Sequence, residues 1–236
     1  IMPEIMKRFS KRQDFGAIVS AGIIFVVFSV IDPSGWLSLS TFANVFHFSA
    51  ILGFLAMGEA LVLISKEIDL SLGSIYGLVG VAFITLAESL GIVGAFFAAM
   101  VLALLLGGIN AFIILRGNLP SMIVTLSTLF AYRGIIYVWT GGTIKSFSEA
   151  ARAHWLTRLF GGEFFGIENA VLWVLLLLFI LNTILQQTRT GNHLLAVGGD
   201  AVSALSHGVN VVKTKTNPYL QATSQPLISR IITICD

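Results

Sequence analysis

The sequence predicts an all-α integral membrane protein of about six transmembrane helices. Three observations carry this prediction. Of the 236 residues, 56% are hydrophobic and 11% charged, against about 25% charged in an ordinary soluble domain. The mean hydropathy is +0.90. The charges are also segregated, leaving long uncharged apolar stretches between short polar ones. Hydrocarbon cannot satisfy open strand edges, so stretches this long and apolar are read as helices.

In chain order the spans fall near 16–31, 44–64, 74–88, 92–115, 121–139 and 169–186. Asp14 and Asp32 bound the first. Lys7, Arg8, Lys11 and Arg12 precede it, as in a signal peptide, but Asp32-Pro33-Ser34-Gly35-Trp36 is a poor cleavage site. After the second span comes Ser65-Lys66-Glu67-Ile68-Asp69-Leu70-Ser71-Leu72-Gly73-Ser74, where Asp69 or Ser71 is expected to cap the third helix. Between the fourth and fifth, Gly117 is expected to stop one helix and Pro120 to start the next.

Lysine and arginine set the orientation. With the N-terminus inside, Lys7, Arg8, Lys11, Arg12, Lys66, Arg116, Arg189, Lys213, Lys215 and Arg230 lie on the cytoplasmic side. Lys145, Arg152 and Arg158 lie outside, and Arg133 sits within the fifth span. The expected topology therefore has both termini in the cytoplasm.

Two ionisable residues fall inside apolar spans, Glu59 and Arg133. Charges at membrane depth cost several kcal/mol unless paired or wetted, so both are functional candidates. The simpler alternative is that each snorkels to the interface, which is favoured for Glu59 because Lys66 follows closely.

The polar segment after the sixth span runs Gln186–His193 and then Val197-Gly198-Gly199-Asp200. Asp200 reads as an N-cap, Ala201–His207 as a short helix containing Leu205, and Gly208 as its stop. A short glycine-flanked helix on a loop suits docking of another protein, although on the spacing alone an idle capped surface helix is the better reading.

The single Cys235 excludes a disulfide framework, and His47, His154, His193 and His207 are scattered without metal-ligand spacing. No nucleophile–base pair is apparent, so an intramembrane enzyme is disfavoured. No cofactor, metal or nucleic-acid partner is expected.

Gly58-Glu59-Ala60-Leu61-Val62-Leu63-Ile64-Ser65-Lys66-Glu67-Ile68-Asp69-Leu70-Ser71-Leu72-Gly73-Ser74 resembles the signature of permease subunits of bacterial ABC importers for ribose, xylose and related monosaccharides. Asn110-Ala111, Pro120–Leu126, Arg133-Gly134, Thr140-Gly141-Gly142 and Thr188–Gly191 resemble further blocks in the family's order. Ala196–Asp200 through Gly208–Val211 resembles its coupling segment, so Gly199, Asp200, Ala201, Leu205 and Gly208 are the implied ATPase-coupling residues. The resemblance covers roughly residues 16–212. It implies import driven by a separate cytoplasmic ABC ATPase, a second permease subunit, and a periplasmic sugar-binding protein. The chain carries no GxxxxGK[ST] phosphate loop of its own.

Two departures stand out. Lys66-Glu67 occupies the place of a common glycine pair. Beyond Lys213 the resemblance stops, and 213–236 is expected to be a non-family tail without fixed structure. With Ile1 preceding Met2, the expectation is a truncated or frameshifted permease. The competing readings are a secondary transporter or channel using Glu59 and Arg133 as coupling charges, or a non-functional remnant.

Overall fold

The computed structural model describes residues 15–143, 146, 149–164 and 167–235. Lys7, Arg8, Lys11, Arg12 and Lys145, on which the orientation argument draws, lie outside the described residues.

Among the described residues the chain is all-α apart from one hairpin of two-residue strands, and it divides between Phe46 and His47 into two compact units. In the first, α1 (Phe15–Ile31) is followed by the single turn α2 (Pro33–Trp36). The side chain of Asp32 accepts from Gly35 N at 3.0 Å, while Trp36 stacks on Phe28 at 5.0 Å between centroids.

From His47 onward, the remainder of α3 (Leu39–Ile64) leads to α4 (Leu72–Gly117) and α5 (Ser121–Thr140). Two short helices follow, α6 (Glu149–Arg152) and α7 (Trp155–Gly161), then antiparallel β1 (Glu163–Phe164) and β2 (Ile167–Glu168). Next come α8 (Asn169–Gln187), α9 (Arg189–Gly199), α10 (Ala201–Ser206) and α11 (Val211–Cys235). Helices α3, α4, α5 and α8 are long and apolar enough to cross a membrane.

Helix α4 has 46 residues but is not straight. Gly91 has φ +70° and ψ 168°, which glycine reaches without a Cβ penalty. Asn110 Nδ2 donates to Ser71 Oγ at 2.7 Å, whereas a straight helix would hold positions 71 and 110 about 58 Å apart. Gly91 therefore reverses the chain, separating 72–90 from 92–117 as the third and fourth apolar stretches predicted.

The core sits inside this hairpin. Ile75, Val79, Phe83, Ala95, Ala99 and Ala103 are buried together with Phe54 of α3 and Tyr132 of α5. The alanine row lets the two arms approach closely, as membrane helices require when packing rather than hydrophobicity drives association. At one end of the bundle Phe160 meets Trp173 at 5.3 Å and Phe96 at 6.1 Å, and His47 Nδ1 pairs with Glu168 Oε2 at 2.5 Å.

The expected structureless tail is corrected. Residues 211–235 form α11, which packs along α4 and reaches α7. Tyr219, Ala222 and Thr223 are buried. The cause is a smooth receiving surface: Ala222 lies against Gly58, and the Tyr219 carbonyl and Thr223 lie against Gly107, where a Cβ would collide with both. Sequence hydropathy does not register such fit, because α11 is polar by composition.

Candidate functional site

Three parts of the second unit assemble polar chemistry: the connection between α3 and α4, the groove where α4 begins beside α5, and the α9–α10 segment.

The α3–α4 connection leaves helix at Ile64. Ser65 N and Lys66 N return to Val62 O and Leu63 O, and Lys66 adopts φ +60°. The chain thus keeps the left-handed turn that glycine would favour, although lysine occupies it. Ser71 stands at the N-cap of α4 but makes no side-chain cap bond. Instead Asp69 Oδ1 accepts from Ser71 N at 2.9 Å and Ser71 Oγ at 2.6 Å, correcting the expectation that either residue caps the helix directly.

Ser71 Oγ also accepts from Asn110 Nδ2, and Tyr132 Oη donates to Asn110 Oδ1 at 3.3 Å. Ile68 is fixed by Ser121 Oγ on its amide and Thr125 Oγ1 on its carbonyl, at 3.1 and 3.2 Å. The 65–71 segment is consequently folded into the helix layer, since Asn110 lies about two turns inside the Gly117 end of α4. Irregular backbone at such depth is tolerated only where protein or a water-lined cavity satisfies it.

Glu59 faces this segment. Its Oε1 accepts from Asp69 N at 3.2 Å. Among the described residues, Glu59 Oε2 and Asp69 Oδ2 are buried without a hydrogen-bond partner. Burial holds Asp69 above the ordinary carboxylate range, the Ser71 and Asn110 hydrogen bonds opposing the shift.

Helix α4 ends through Asn118, not Gly117: Asn118 has φ +50° and its N–H closes on Ile114 O. The Pro120 carbonyl starts α5 by accepting from Ile123 N and Val124 N. Arg133 lies exposed on α5, in a groove with Gly73, Ser74, Gly77, Tyr137 and Thr140. Gly134 belongs to a separate apolar face with Ala131, Ile135, Val138 and Trp139. Gly141 and Gly142 end α5 with φ +62° and +75°.

At the α9–α10 segment, Asp200 accepts from Val202 N at 3.0 Å, capping α10 as expected. Ala201 begins that helix, and Gly208 follows it with φ +83°. Val202 and Leu205 are 78% and 63% exposed, so α10 presents an uncovered apolar face. Gly198 rests directly on Ile64 O, and Lys66 Nζ donates to Gly199 O at 2.7 Å. Lys215 Nζ pairs with Glu67 Oε1. Lys66 and Glu67 thus bind the segments on either side of α10.

Sequence reasoning placed Asn110, Ser121 and Thr125 only within matching blocks, and missed Tyr132 and the Lys66–Gly199 contact. A buried Asn in a span of Gly, Ala and Leu was the available signal. The contact at Gly199 had none, since it joins residues far apart in sequence.

A polytopic helical membrane protein with a polar network inside its bundle is the class that fold and site define. The chain belongs to the family described as branched-chain amino acid transport system / permease component, whose match covers residues 41–219 and so extends into α11. It is 32% identical over 219 residues to the autoinducer 2 import system permease protein LsrC of Klebsiella pneumoniae, and 30% identical over 219 residues to that of Enterobacter sp.; both alignments cover 89% of this chain. The LsrC protein of Salmonella typhi is 29% identical over 206 residues, 87% of this chain. The chain spans about 60% of the length of these relatives, 60%, 60% and 58% respectively. No solved structure matches it.

Proposed function

We propose that this chain is a membrane-spanning subunit of an ATP-driven importer for a small sugar-like solute in the bacterial inner membrane. The observation that carries the reading is α10: a capped helix between glycines, its Val202 and Leu205 uncovered, set on a chain of the permease family. In this reading α10 inserts into a cytoplasmic ABC ATPase and passes ATPase closure to the bundle as a rigid-body movement. A second permease subunit completes the pathway, and a periplasmic binding protein delivers the solute. The N-terminus is cytoplasmic, as the positive bias requires. The names of the relatives favour autoinducer 2 as the solute over the ribose or xylose that the sequence motifs suggest.

Asp200→Lys with Leu205→Glu tests the docking role, reversing the cap charge and putting an acid on the uncovered face. The expected result is loss of ATPase co-purification from membranes in which the variant still inserts. Wild-type recovery of ATPase with the double variant overturns the reading.

A further inference from the structure

Consecutive residues of the α3–α4 connection are gripped from different sides. Lys66 Nζ donates to Gly199 O at 2.7 Å, and Glu67 Oε1 accepts from Lys215 Nζ, so two side chains reach the last residue of α9 and the second turn of α11. The next residue is held by α5: Ile68 N donates to Ser121 Oγ, and Ile68 O accepts from Thr125 Oγ1. Asp69 N donates to Glu59 Oε1 of α3, and Asp69 Oδ1 connects through Ser71 Oγ to Asn110 of α4.

The grip at Lys66 and Glu67 brackets α10. Gly199 stands one residue before the Asp200 cap, and Lys215 follows the link to α11. Bonds within that link leave little slack. Gly208 N returns to Leu205 O, Val209 N to Ala204 O, and Asn210 Oδ1 accepts from Lys213 N at the start of α11. Gly198 rests on Ile64 O, which adds a backbone contact beside the lysine bond. The Lys215 and Glu67 side chains are 18% and 13% exposed, a setting in which salt screens an ion pair weakly. Lys66 keeps φ +60°, a conformation that a lysine holds only where its surroundings over-determine it. Helix α11 offers a second path from α10 into the bundle, but Glu67 already holds its second turn.

Coupling between separated sites is carried by contiguous hydrogen bonds and rigid elements. Here the run leads from Gly199 and Lys215 through residues 66–69 to Ser71, Asn110 and Tyr132. We propose that residues 65–71 form a lever that carries displacement of α10 into the bundle, with Lys66, Glu67 and Lys215 as the positioning residues that keep α10 engaged with it. The lever deepens the importer reading and rests on it only for what displaces α10. Such coupling is reciprocal, so a change at Asn110 is felt at α10 without contact between them.

Double electron–electron resonance on the full chain in nanodiscs tests it. After Cys235→Ser, spin labels go on the exposed positions Ser203→Cys of α10 and Ser127→Cys of α5. One narrow distance is expected in this background. Glu67→Lys, Lys215→Glu and Lys66→Met are each expected to lose it to a broad distribution, and the exchanged pair Glu67→Lys with Lys215→Glu to recover it. Asn110→Leu is expected to lose it as well. Phe83→Leu, a core change with no bond to the lever, controls for general loosening and is expected to keep the distance narrow although it lowers the melting temperature. A broad distribution in the background, a narrow one in Asn110→Leu, or no recovery in the exchanged pair overturns the lever. ATPase co-purified with the chain is expected to fall about fivefold or more in Glu67→Lys and to return in the exchanged pair. Unchanged ATPase recovery in Glu67→Lys would sink the lever alone. Absence of ATPase from the unaltered chain, with the distances as expected, would sink the importer reading alone.

Discussion

Lys66 Nζ donates a 2.7 Å hydrogen bond to the carbonyl oxygen of Gly199. The donor lies in the turn that leaves α3, and the acceptor is the last residue of α9, directly before the capped helix α10. The same lysine holds φ +60°, a conformation that costs a non-glycine residue about 1–2 kcal/mol. A strained turn and the position of α10 are therefore joined in one side chain.

This joint separates two effects by substitution. Lys66→Gly removes the strain and the hydrogen bond together, and the two changes are expected to offset to within about 1 kcal/mol. Lys66→Met keeps the strain and loses the bond, so it is expected to be the less stable variant by about 1–2 kcal/mol. Thermal unfolding of both in nanodiscs checks the order. A Met variant as stable as the Gly variant would show that the bond does not hold.

Gly198 and Gly199 are adjacent but not equivalent. A Cβ at Gly198 would run into Ile64 O, whereas at Gly199 nothing lies within 4 Å. Gly198→Ala is expected to push α9 from the end of α3 and destabilise by about 2 kcal/mol or more, within the range of overpacking. Gly199→Ala is expected to change stability by less than about 0.5 kcal/mol. Limited proteolysis near Arg189 and Lys213 in membrane vesicles reads the difference, faster cleavage being expected only for Gly198→Ala.

Asp69 Oδ1 receives both the amide and the hydroxyl of Ser71. Asp69→Ala removes both bonds and leaves the buried Ser71 group short of an acceptor, for an expected loss of about 1–3 kcal/mol. Asn110→Leu severs the same network from the other side of the α4 hairpin and is expected to cost about as much, non-additively with Asp69→Ala. A double-mutant cycle by thermal unfolding checks the coupling. Additive losses would mean that Ser71 does not transmit between them.

Because burial raises Asp69, the folded chain holds that proton more tightly than the unfolded chain. Stability contributed by this residue is then greatest below the ordinary carboxylate range and falls as pH rises toward its folded-state value. Melting temperature followed upward from about pH 4 is expected to decline in the unaltered chain and to decline less in Asp69→Asn. Equal slopes would remove Asp69 as the source.

The topology is open to labelling. After Cys235→Ser, a cysteine at Ser203 is expected to resist an impermeant maleimide in intact cells and to react in inverted vesicles. One at Thr143 is expected to do the reverse. Labelling of Ser203→Cys in intact cells would turn the orientation over.

Much of the fold was legible in the residues themselves. Apolar length fixes membrane helices because hydrocarbon leaves no other way to satisfy the backbone. Among the described residues the four helices long and apolar enough to cross a membrane, and the shorter apolar α1, coincide with predicted spans, Gly91 dividing α4 into two. Local chemistry also sufficed for Asp200 and Gly208 around α10, since a cap is made within a few residues of itself.

Tertiary structure decided what distance in sequence conceals. Whether Glu59 meets water or Asp69 depends on a segment folding back into the helix layer, held by Ser121 and Thr125 from another helix. Whether a polar tail is ordered depends on Gly58 and Gly107 leaving room for Ala222, Thr223 and Tyr219. Composition records hydrophobicity residue by residue, whereas close packing and hydrogen-bond satisfaction belong to pairs of surfaces. Those pairs exist only once the chain has turned at Gly91 and brought Ser71 to Asn110.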